Sequence, residues 1–234
     1  MITFFKTIIY IPLYNLLILI AFLLPNHDAG VAIVLLTLFV KIITYPLSKK
    51  AAIAQLEMKK HDPELREIKE KYKDSKEKQA VEIMAFYKKY KINPFSSIFM
   101  ILLQIPIIYS LYHIFLHSGL PVVNLEPLYS FIPHPEYISM NFLGFINVSS
   151  KNLVLAILAG ASSYFQIKNS APTPVSSSSS SPDFATMMST QMKYTFPIIV
   201  LFISWSISGA VALYWLASNL FSIAQDYYIK RKLA

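Results

Sequence analysis

The stretch VAIVLLTLFVKIITYPLSKK, residues 31–50, decides the fold. Its first 17 residues are apolar except for Thr37, Lys41 and Thr44, and two lysines follow soon after. A helix rises about 1.5 Å per residue and a bilayer core is about 30 Å thick, so a run of this length can cross a membrane. Basic residues just beyond an apolar run indicate its cytoplasmic end. The stretch therefore predicts a transmembrane helix with one cation inside it.

The composition of the whole chain also predicts a membrane protein. Of 234 residues, 55% are hydrophobic and 15% are charged, and the mean hydropathy is +0.48. A water-soluble domain with this balance would be covered in apolar surface. The net charge of +8 does not indicate sequence-specific nucleic-acid binding, because 13 of the 21 Lys and Arg residues lie in residues 49–91, among eight acidic residues. The chain has no cysteine, which excludes disulfides and thiolate metal sites.

Three further apolar segments predict four more crossings, and hence an all-α polytopic membrane protein. Residues 95–116 and 152–166 fit one span each. Residues 194–229 would be about 54 Å long as one helix, so we expect them to fold back at Ser208-Gly209. Basic residues are concentrated in every second loop between the predicted spans. Because basic loops stay in the cytoplasm, the first span runs from outside to inside and the C-terminus is cytoplasmic.

The N-terminal apolar run, residues 8–24, has two interpretations. Pro12 and Asn15 interrupt it, so it can either cross the membrane or lie in the interface as an amphipathic helix. From these residues alone the two are equally open. We divide the chain into this N-terminal segment, residues 1–26, and a core, residues 27–234.

The segments between the spans differ in character. Residues 48–93 are rich in charge and predict a cytoplasmic hairpin of two amphipathic helices. Residues 117–150 carry four prolines among apolar residues and predict an irregular cap at the outer interface. Residues 169–190 include SAPTPVSSSSSSP, which predicts a flexible cytoplasmic loop.

An apolar stripe runs along the predicted hairpin. Its members are spaced to share a helix face: Ile53, Leu56, Leu65, Ile68 and Tyr72 on the first helix, and Val81 and Met84 on the second. The simpler interpretation is that the stripe holds the two helices together. The other is that it binds a client protein directly, and the two roles are compatible.

Lys41 is the most informative single residue. It precedes Ser48 by seven positions, so it lies about 10 Å inside the cytoplasmic end of its helix. A lysine at a helix centre costs about 2.5 to 3.5 kcal/mol on translocon scales, unless it snorkels, finds a partner or meets water. A water-filled pocket is favoured by the other polar residues within the spans: Gln104, Ser204, Ser206, Ser208, Ser218 and Asn219. Each hydroxyl alone is typical of helix packing, and snorkelling stays the alternative.

Signals for bond chemistry are weak. His113 and His117 are spaced four residues apart, but a metal site needs a third ligand, so we expect no metal. The sequence contains no GxxxxGK[ST], HExxH or GxSxG motif. We therefore expect neither an enzyme nor a cofactor.

Several segments, in this order, resemble the YidC-type membrane insertase family, which includes mitochondrial and chloroplast relatives. They are VAIVLLTLFVKIITYPLSKKA, HDPELREIKEKYKD, EIMAFYKKYKINPFSS, ILLQIPIIYSLYHIF and SGAVALYWLASNLFSIAQ. Each alone is weak, but their combination and spacing are specific. The resemblance implies a five-helix core with a cytoplasmic hairpin and a hydrophilic groove that opens to the cytoplasm and to lipid. It also favours an interfacial helix at residues 8–24.

The same resemblance implies a function and a set of groove residues. Lys41 stands where the family usually has arginine, and lysine lacks the rigid five-donor fork of a guanidinium. By the same matching Gln104, Trp215 and Asn219 are groove or groove-rim residues, beside Ser204, Ser208 and Ser218. The family inserts and chaperones nascent membrane proteins in the bacterial inner (plasma) membrane, with ribosomes and the Sec translocon as partners.

Two other functions compete with insertion. A small-solute transporter or channel could use Lys41 to bind an anion, and should show solute flux and an inverted repeat. A scaffold that docks partners through the hairpin should tolerate Lys41→Ala and fail without the hairpin.

Overall fold

The computed structural model describes residues 6–93, 96–170 and 184–233. A π-helical turn at Lys6–Tyr10 leads into the first of eight α-helices in this part of the chain. They are α1 (Ile11–Leu23), α2 (Ala29–Lys60), α3 (Asp62–Lys71), α4 (Lys76–Lys89), α5 (Ser96–His117), α6 (Leu153–Ser170), α7 (Phe184–Ser206) and α8 (Gly209–Leu233). Two short strands, β1 (Asn141–Phe142) and β2 (Ile146–Asn147), pair antiparallel. The prediction of an all-α fold is confirmed.

The predicted helices are present, with one difference at the first span. α2 runs unbroken from Ala29 through the apolar stretch and onwards to Lys60, so the first half of the predicted hairpin continues the apolar helix. Asp28 begins it, since its carboxylate accepts a hydrogen bond from the Val31 N–H at 3.0 Å. The predicted break near Ser208-Gly209 is confirmed, because α7 ends at Ser206 and α8 begins at Gly209.

Two stretches in the described part of the chain are long and apolar enough to cross a bilayer, Lys6–Leu23 and Ala29–Lys60, and Leu102–His117 is a shorter apolar helix. Many large apolar side chains on the helices are exposed, among them Phe39, Ile42, Leu102 and Phe202. Such surfaces are expected where a helix faces lipid.

The core is arranged around α8. This helix packs against α2 on one side and α6 on the other, and α7 lies against α6. Gly160 lets α6 and α7 approach closely, because a Cβ at this position would lie 3.0 Å from the Leu201 Cβ and 3.1 Å from the Pro197 carbonyl oxygen.

The segment from Ser118 to Asn152, which we call the cap, lies between α5 and α6 and is fixed to α1. The Asn15 side chain donates to the Pro127 carbonyl at 2.8 Å and accepts from the Tyr129 N–H at 2.6 Å. The Tyr14 hydroxyl bonds the backbone of Asn124. Asn15, which interrupts the apolar run in the sequence, therefore serves to hold the cap in place.

The predicted flexible loop, residues 169–190, lies largely outside the described residues. Within them, α6 continues to Ser170 and the backbone of α7 begins at Phe184.

Candidate polar site along helix α8

The Lys41 ammonium lies inside the helical core. It is the thirteenth residue of α2, about 18 Å from the N-terminal end of the helix. The residue is 9% exposed, and its Nζ donates to the Ser222 hydroxyl on α8 at 2.8 Å. α8 also contacts the backbone here, since the Gln225 side chain donates to the Lys41 carbonyl oxygen at 3.2 Å. Lys41 therefore points inwards to a polar partner on a neighbouring helix.

One carboxylate, that of Asp226, acts electrostatically on Lys41. This carboxylate accepts a hydrogen bond from the Ser170 hydroxyl. Among the residues the structure describes, no carboxylate lies within ion-pair distance of the Lys41 ammonium. The side-chain partner of Lys41 is thus a hydroxyl and not a carboxylate.

A polar stripe follows the same face of α8. Tyr214, Ser218, Ser222 and Gln225 recur at intervals of four, four and three residues, which places them on one side over about 16 Å of helix. Gln104 on α5 reaches this stripe, with its Nε2 2.7 Å from the Tyr214 hydroxyl and 3.4 Å from the Ser218 hydroxyl. Gln104 and Ser218 thus lie along the stripe that also holds Ser222, the partner of Lys41, and their part in client binding stays a prediction.

Asn219 points the other way, towards α6. Its Nδ2 donates to the Ser163 hydroxyl at 2.7 Å and to the Ser162 hydroxyl at 3.0 Å, and the residue is 8% exposed. Both serines in turn donate to the Ala159 carbonyl at 2.9 Å. The amide joins two helices and lies apart from the Lys41 stripe.

Three other predicted groove residues also lie apart from Lys41. Trp215 is buried in an apolar cluster with Ala159, Val200 and Val211. Its position on α8 is one residue from Tyr214, which turns it towards α6 and α7. The expected place of Trp215 at the groove rim is therefore corrected to a packing position.

The expected convergence of Ser204 and Ser208 on Lys41 is also wrong. Ser208 lies in the turn between α7 and α8, whereas Ser222 is 13 residues beyond Gly209, about 20 Å deeper along α8. Ser204 is close to the same turn, near the end of α7. Both hydroxyls are buried and have no hydrogen-bond partner among the described residues.

Sequence reasoning missed three members of the polar stripe: Tyr214, Ser222 and Gln225. The signal was available, because Ser222 follows Ser218 by one helical turn and Gln225 follows by a second. Adding the helix period to a recognised polar residue would have found both.

The cytoplasmic hairpin has its own small core. Leu65, Phe86 and Ile92 are buried together, and Ile68 packs against them. Leu56 and Tyr72 are partly exposed. Val81 and Met84 are 67% and 62% exposed, so the seam interpretation of the stripe is wrong for these two residues. The inward face of α4 follows Ile83, Phe86 and Tyr90, which turns Met84 outwards.

Polar contacts fix the base of the hairpin. The Lys89 ammonium donates to the Glu64 carboxylate at 2.8 Å, and the Tyr90 hydroxyl donates to its other oxygen. The hydrogen bonds from Lys89 and Tyr90 lower the pKa of the Glu64 carboxyl from its ordinary value of 4.5. The His61 ring stacks on Tyr90 with centroids 3.6 Å apart.

The two histidines with metal-ligand spacing lie in an aromatic cluster. The His113 and His117 rings have centroids 5.0 Å apart and neighbour Tyr109 and Tyr112. Within the described ranges, no three His, Asp or Glu residues form a group that could hold a metal.

Comparison with known proteins identifies the family. Residues 22–234 match the model of the family described as 60Kd inner membrane protein. A protein named membrane protein insertase YidC from Fusobacterium nucleatum is 33% identical over 228 residues, which cover 94% of this chain and 98% of the relative. The protein of the same name from Clostridium tetani is 30% identical over 207 residues, 88% of this chain and 84% of the relative.

Other relatives are much longer. The membrane protein insertase YidC of Alcanivorax borkumensis is 36% identical over 204 residues, which cover 87% of this chain but 31% of that protein. The chain thus spans nearly all of one relative and about a third of another. The family match over most of the chain agrees with the helical membrane fold. This protein belongs to the 60Kd inner membrane protein family, whose relatives here carry the name membrane protein insertase YidC.

Proposed function

We propose that the chain is a membrane protein insertase and chaperone that takes the short hydrophilic tail of a client into the polar region along α8. The observation that carries the proposal is the buried Lys41 ammonium, which bonds the Ser222 hydroxyl and has no carboxylate at ion-pair distance among the described residues. A client tail rich in carboxylates or carbonyls can bind this cation. The names of the relatives support the same function.

The mechanism is physical and involves no bond chemistry. Polar groups entering hydrocarbon lose their hydration at a cost of several kcal/mol each. The side chains of Ser218, Ser222 and Gln225 offer hydrogen bonds at successive depths, so a tail can exchange water for protein partners step by step. The apolar helix of the client then leaves sideways into lipid.

We propose five crossings, by the apolar parts of α2, α5, α6, α7 and α8, with α1 in the outer interface. The charge asymmetry supports this orientation, because the hairpin carries most of the cations while residues 117–150 carry no Lys or Arg. The cap then lies outside, the hairpin and C-terminus lie in the cytoplasm, and the polar stripe is reached from the cytoplasmic side. Nascent membrane proteins are the proposed clients, and ribosomes, through the hairpin, and the Sec translocon are the proposed partners.

Reconstitution tests the proposal. Purified protein in liposomes should integrate a labelled single-span client that has an acidic tail. Lys41→Ala removes a charge-assisted hydrogen bond, worth about 1.5 to 3 kcal/mol, so we expect a roughly tenfold or larger loss of integration. Lys41→Arg should retain much of the activity and Lys41→Glu should retain least.

The matched control is Ile42→Ala. Ile42 is the next residue of the same helix, is 61% exposed, and should tolerate the change. The proposal fails if wild type integrates no client and conducts a small anion instead, or if Lys41→Ala integrates clients as fast as wild type.

A further inference from the structure

A cleft of about 600 Å³ lies at the base of the hairpin, away from the Lys41 site. One wall is the C-terminal part of α2, with Leu47, Lys50, Ile53, Ala54 and Glu57. The other wall consists of four residues that follow α4, Tyr90, Lys91, Ile92 and Asn93, and of Phe99 near the start of α5. Most of the lining is therefore apolar, and two of its residues, Lys50 and Lys91, are cations.

The apolar walls of the cleft continue the lipid-facing surfaces of two helices. On α2, Ile43 is 60% exposed and precedes Leu47 by one turn. On α5, Phe99 is 53% exposed and is followed one turn later by Leu102, which is 55% exposed. A lipid acyl chain that lies on these faces can therefore extend into the cleft and contact apolar side chains along its whole length.

The two cations lie just beyond the apolar surface, at the depth expected for a phospholipid head group. Lys50 comes directly after the apolar part of α2, and both Lys50 and Lys91 are exposed at the cleft. The one carboxylate of the lining, Glu57, is seven residues beyond Lys50, about 10 Å further from the membrane. Its Oε2 lies 3.5 Å from the His61 ring nitrogen. The charge nearest the membrane is thus positive, as a lipid phosphate requires.

The backbone around Lys91 caps the end of α4. The Ile92 N–H bonds the Tyr87 carbonyl at 2.9 Å and the Lys91 N–H bonds the Lys88 carbonyl at 3.3 Å. This is a Schellman cap, which places Lys91 at the left-handed position that usually holds glycine. The φ of Lys91 is indeed +53°. Glycine is the residue that this position favours, so Lys91→Gly is compatible with the local backbone.

We propose that this cleft binds one anionic phospholipid of the cytoplasmic leaflet, with the phosphate between Lys50 and Lys91 and an acyl chain along Leu47, Ile53 and Phe99. The occupant is a lipid because the apolar walls join the lipid-facing helix surfaces, whereas a free phosphate would leave them uncovered. The inference uses the proposed orientation of the hairpin but not the proposed insertion of clients. A lipid held here would join α2 to the start of α5 and so fix the hairpin relative to the membrane.

Native mass spectrometry of the full chain in detergent tests this directly. Dioleoyl phosphatidylglycerol and dioleoyl phosphatidylcholine are titrated separately, and the bound lipids are counted. Wild type should retain one phosphatidylglycerol more tightly than the rest and show no equivalent site for phosphatidylcholine. Each surface cation contributes about fivefold to such binding, so Lys50→Gln and Lys91→Gly should each weaken it by roughly that factor.

Lys91→Gly is informative because glycine is the residue that this cap prefers, so the variant should fold at least as well as wild type. The matched control is Lys88→Gln, which removes an exposed cation from the same helix end outside the cleft lining. It should leave binding unchanged. Lys91→Gln provides a second variant if the glycine disturbs the loop.

Three outcomes would overturn the proposal. The first is equal binding of the two lipids by wild type. The second is an equal loss in Lys88→Gln and Lys91→Gly, which would indicate a diffuse surface charge. The third is displacement of phosphatidylglycerol by millimolar inorganic phosphate, which would indicate a site for free anions. Client integration is not measured, so the outcome is separate from that of the proposed function.

Discussion

Replacing Asn219 by leucine tests whether this residue acts in helix packing or in client binding. The Asn219 amide donates to two serine hydroxyls on α6, at 2.7 and 3.0 Å. Ser162 and Ser163 keep their own bonds to the Ala159 carbonyl, so the substitution leaves neither hydroxyl without a partner. Hydrogen bonds between membrane helices average about 0.6 kcal/mol, with a maximum near 1.7. Two such bonds predict a loss of about 1 to 2 kcal/mol in the free energy of unfolding.

The assay is reversible unfolding in mixed micelles titrated with sodium dodecyl sulfate. The Ser162→Ala/Ser163→Ala variant completes a double-mutant cycle, for which we expect a coupling energy of about 1 kcal/mol. Ser204→Ala is the control, because the Ser204 hydroxyl is buried without a partner among the described residues and its loss should cost little. Client integration by Asn219→Leu should stay within about twofold of wild type. If stability is unchanged while integration falls as in Lys41→Ala, Asn219 contacts clients and the packing argument is refuted.

Two further predictions concern the hairpin. Phe86→Ala should cost about 3 to 5 kcal/mol of local stability, because it empties the hairpin core, whereas Met84→Ala should cost less than about 0.5 because Met84 is exposed. Hydrogen exchange of α4 amides distinguishes the two, and equal loss of protection would contradict this packing. The lowered pKa of Glu64 means that its bond to Lys89 stabilises the hairpin fully above pH 4.5 and is lost as pH falls through the folded pKa. Spin-label distances between α3 and α4 should therefore broaden in wild type on acidification and be insensitive to pH in Glu64→Gln.

The parts of the fold predictable from sequence were those with a strong periodic or compositional signal. The apolar runs predicted the membrane helices, and the pair Ser208-Gly209 predicted the break between α7 and α8 because the preceding run was too long for one span. The hairpin followed from its charge and its apolar spacing. Such signals depend on one segment at a time and need no knowledge of neighbours.

The predicted site was only partly right because it depends on how each helix is rotated. Ser218 and Asn219 are adjacent in sequence, yet they face different helices, since each residue turns by about 100°. Their polar character could not show which one shares a face with Lys41. Trp215 likewise lies one residue from Tyr214 but packs among apolar residues. The sequence also did not show how deep each residue lies along the helices. Ser208 and Ser222 lie at different depths, so only Ser222 reaches Lys41.

Helix rotation also explains the error at Met84. The stripe on the first hairpin helix was assigned correctly at Leu65 and Ile68. The rotation of α4 about its axis depends on its contacts with α3, which the sequence does not reveal. Phe86, two positions after Met84, has a larger apolar side chain and fills the seam instead. Its burial indicates that the seam follows the residues that fill the most space.

Water access to the polar stripe from the cytoplasm is the claim on which the proposed mechanism depends. Because the chain has no cysteine, single-cysteine variants report on one position each. Ser222→Cys lies at the Lys41 partner, and Leu220→Cys is a control on the same helix that is 54% exposed towards the expected lipid. A charged, membrane-impermeant methanethiosulfonate reacts only with a hydrated thiolate. Cysteine at 222 should be labelled from the cytoplasmic side and not from outside, and cysteine at 220 from neither. Labelling at 222 no faster than at 220, or labelling from the outer side, would contradict a polar region that is open to the cytoplasm and closed to the exterior.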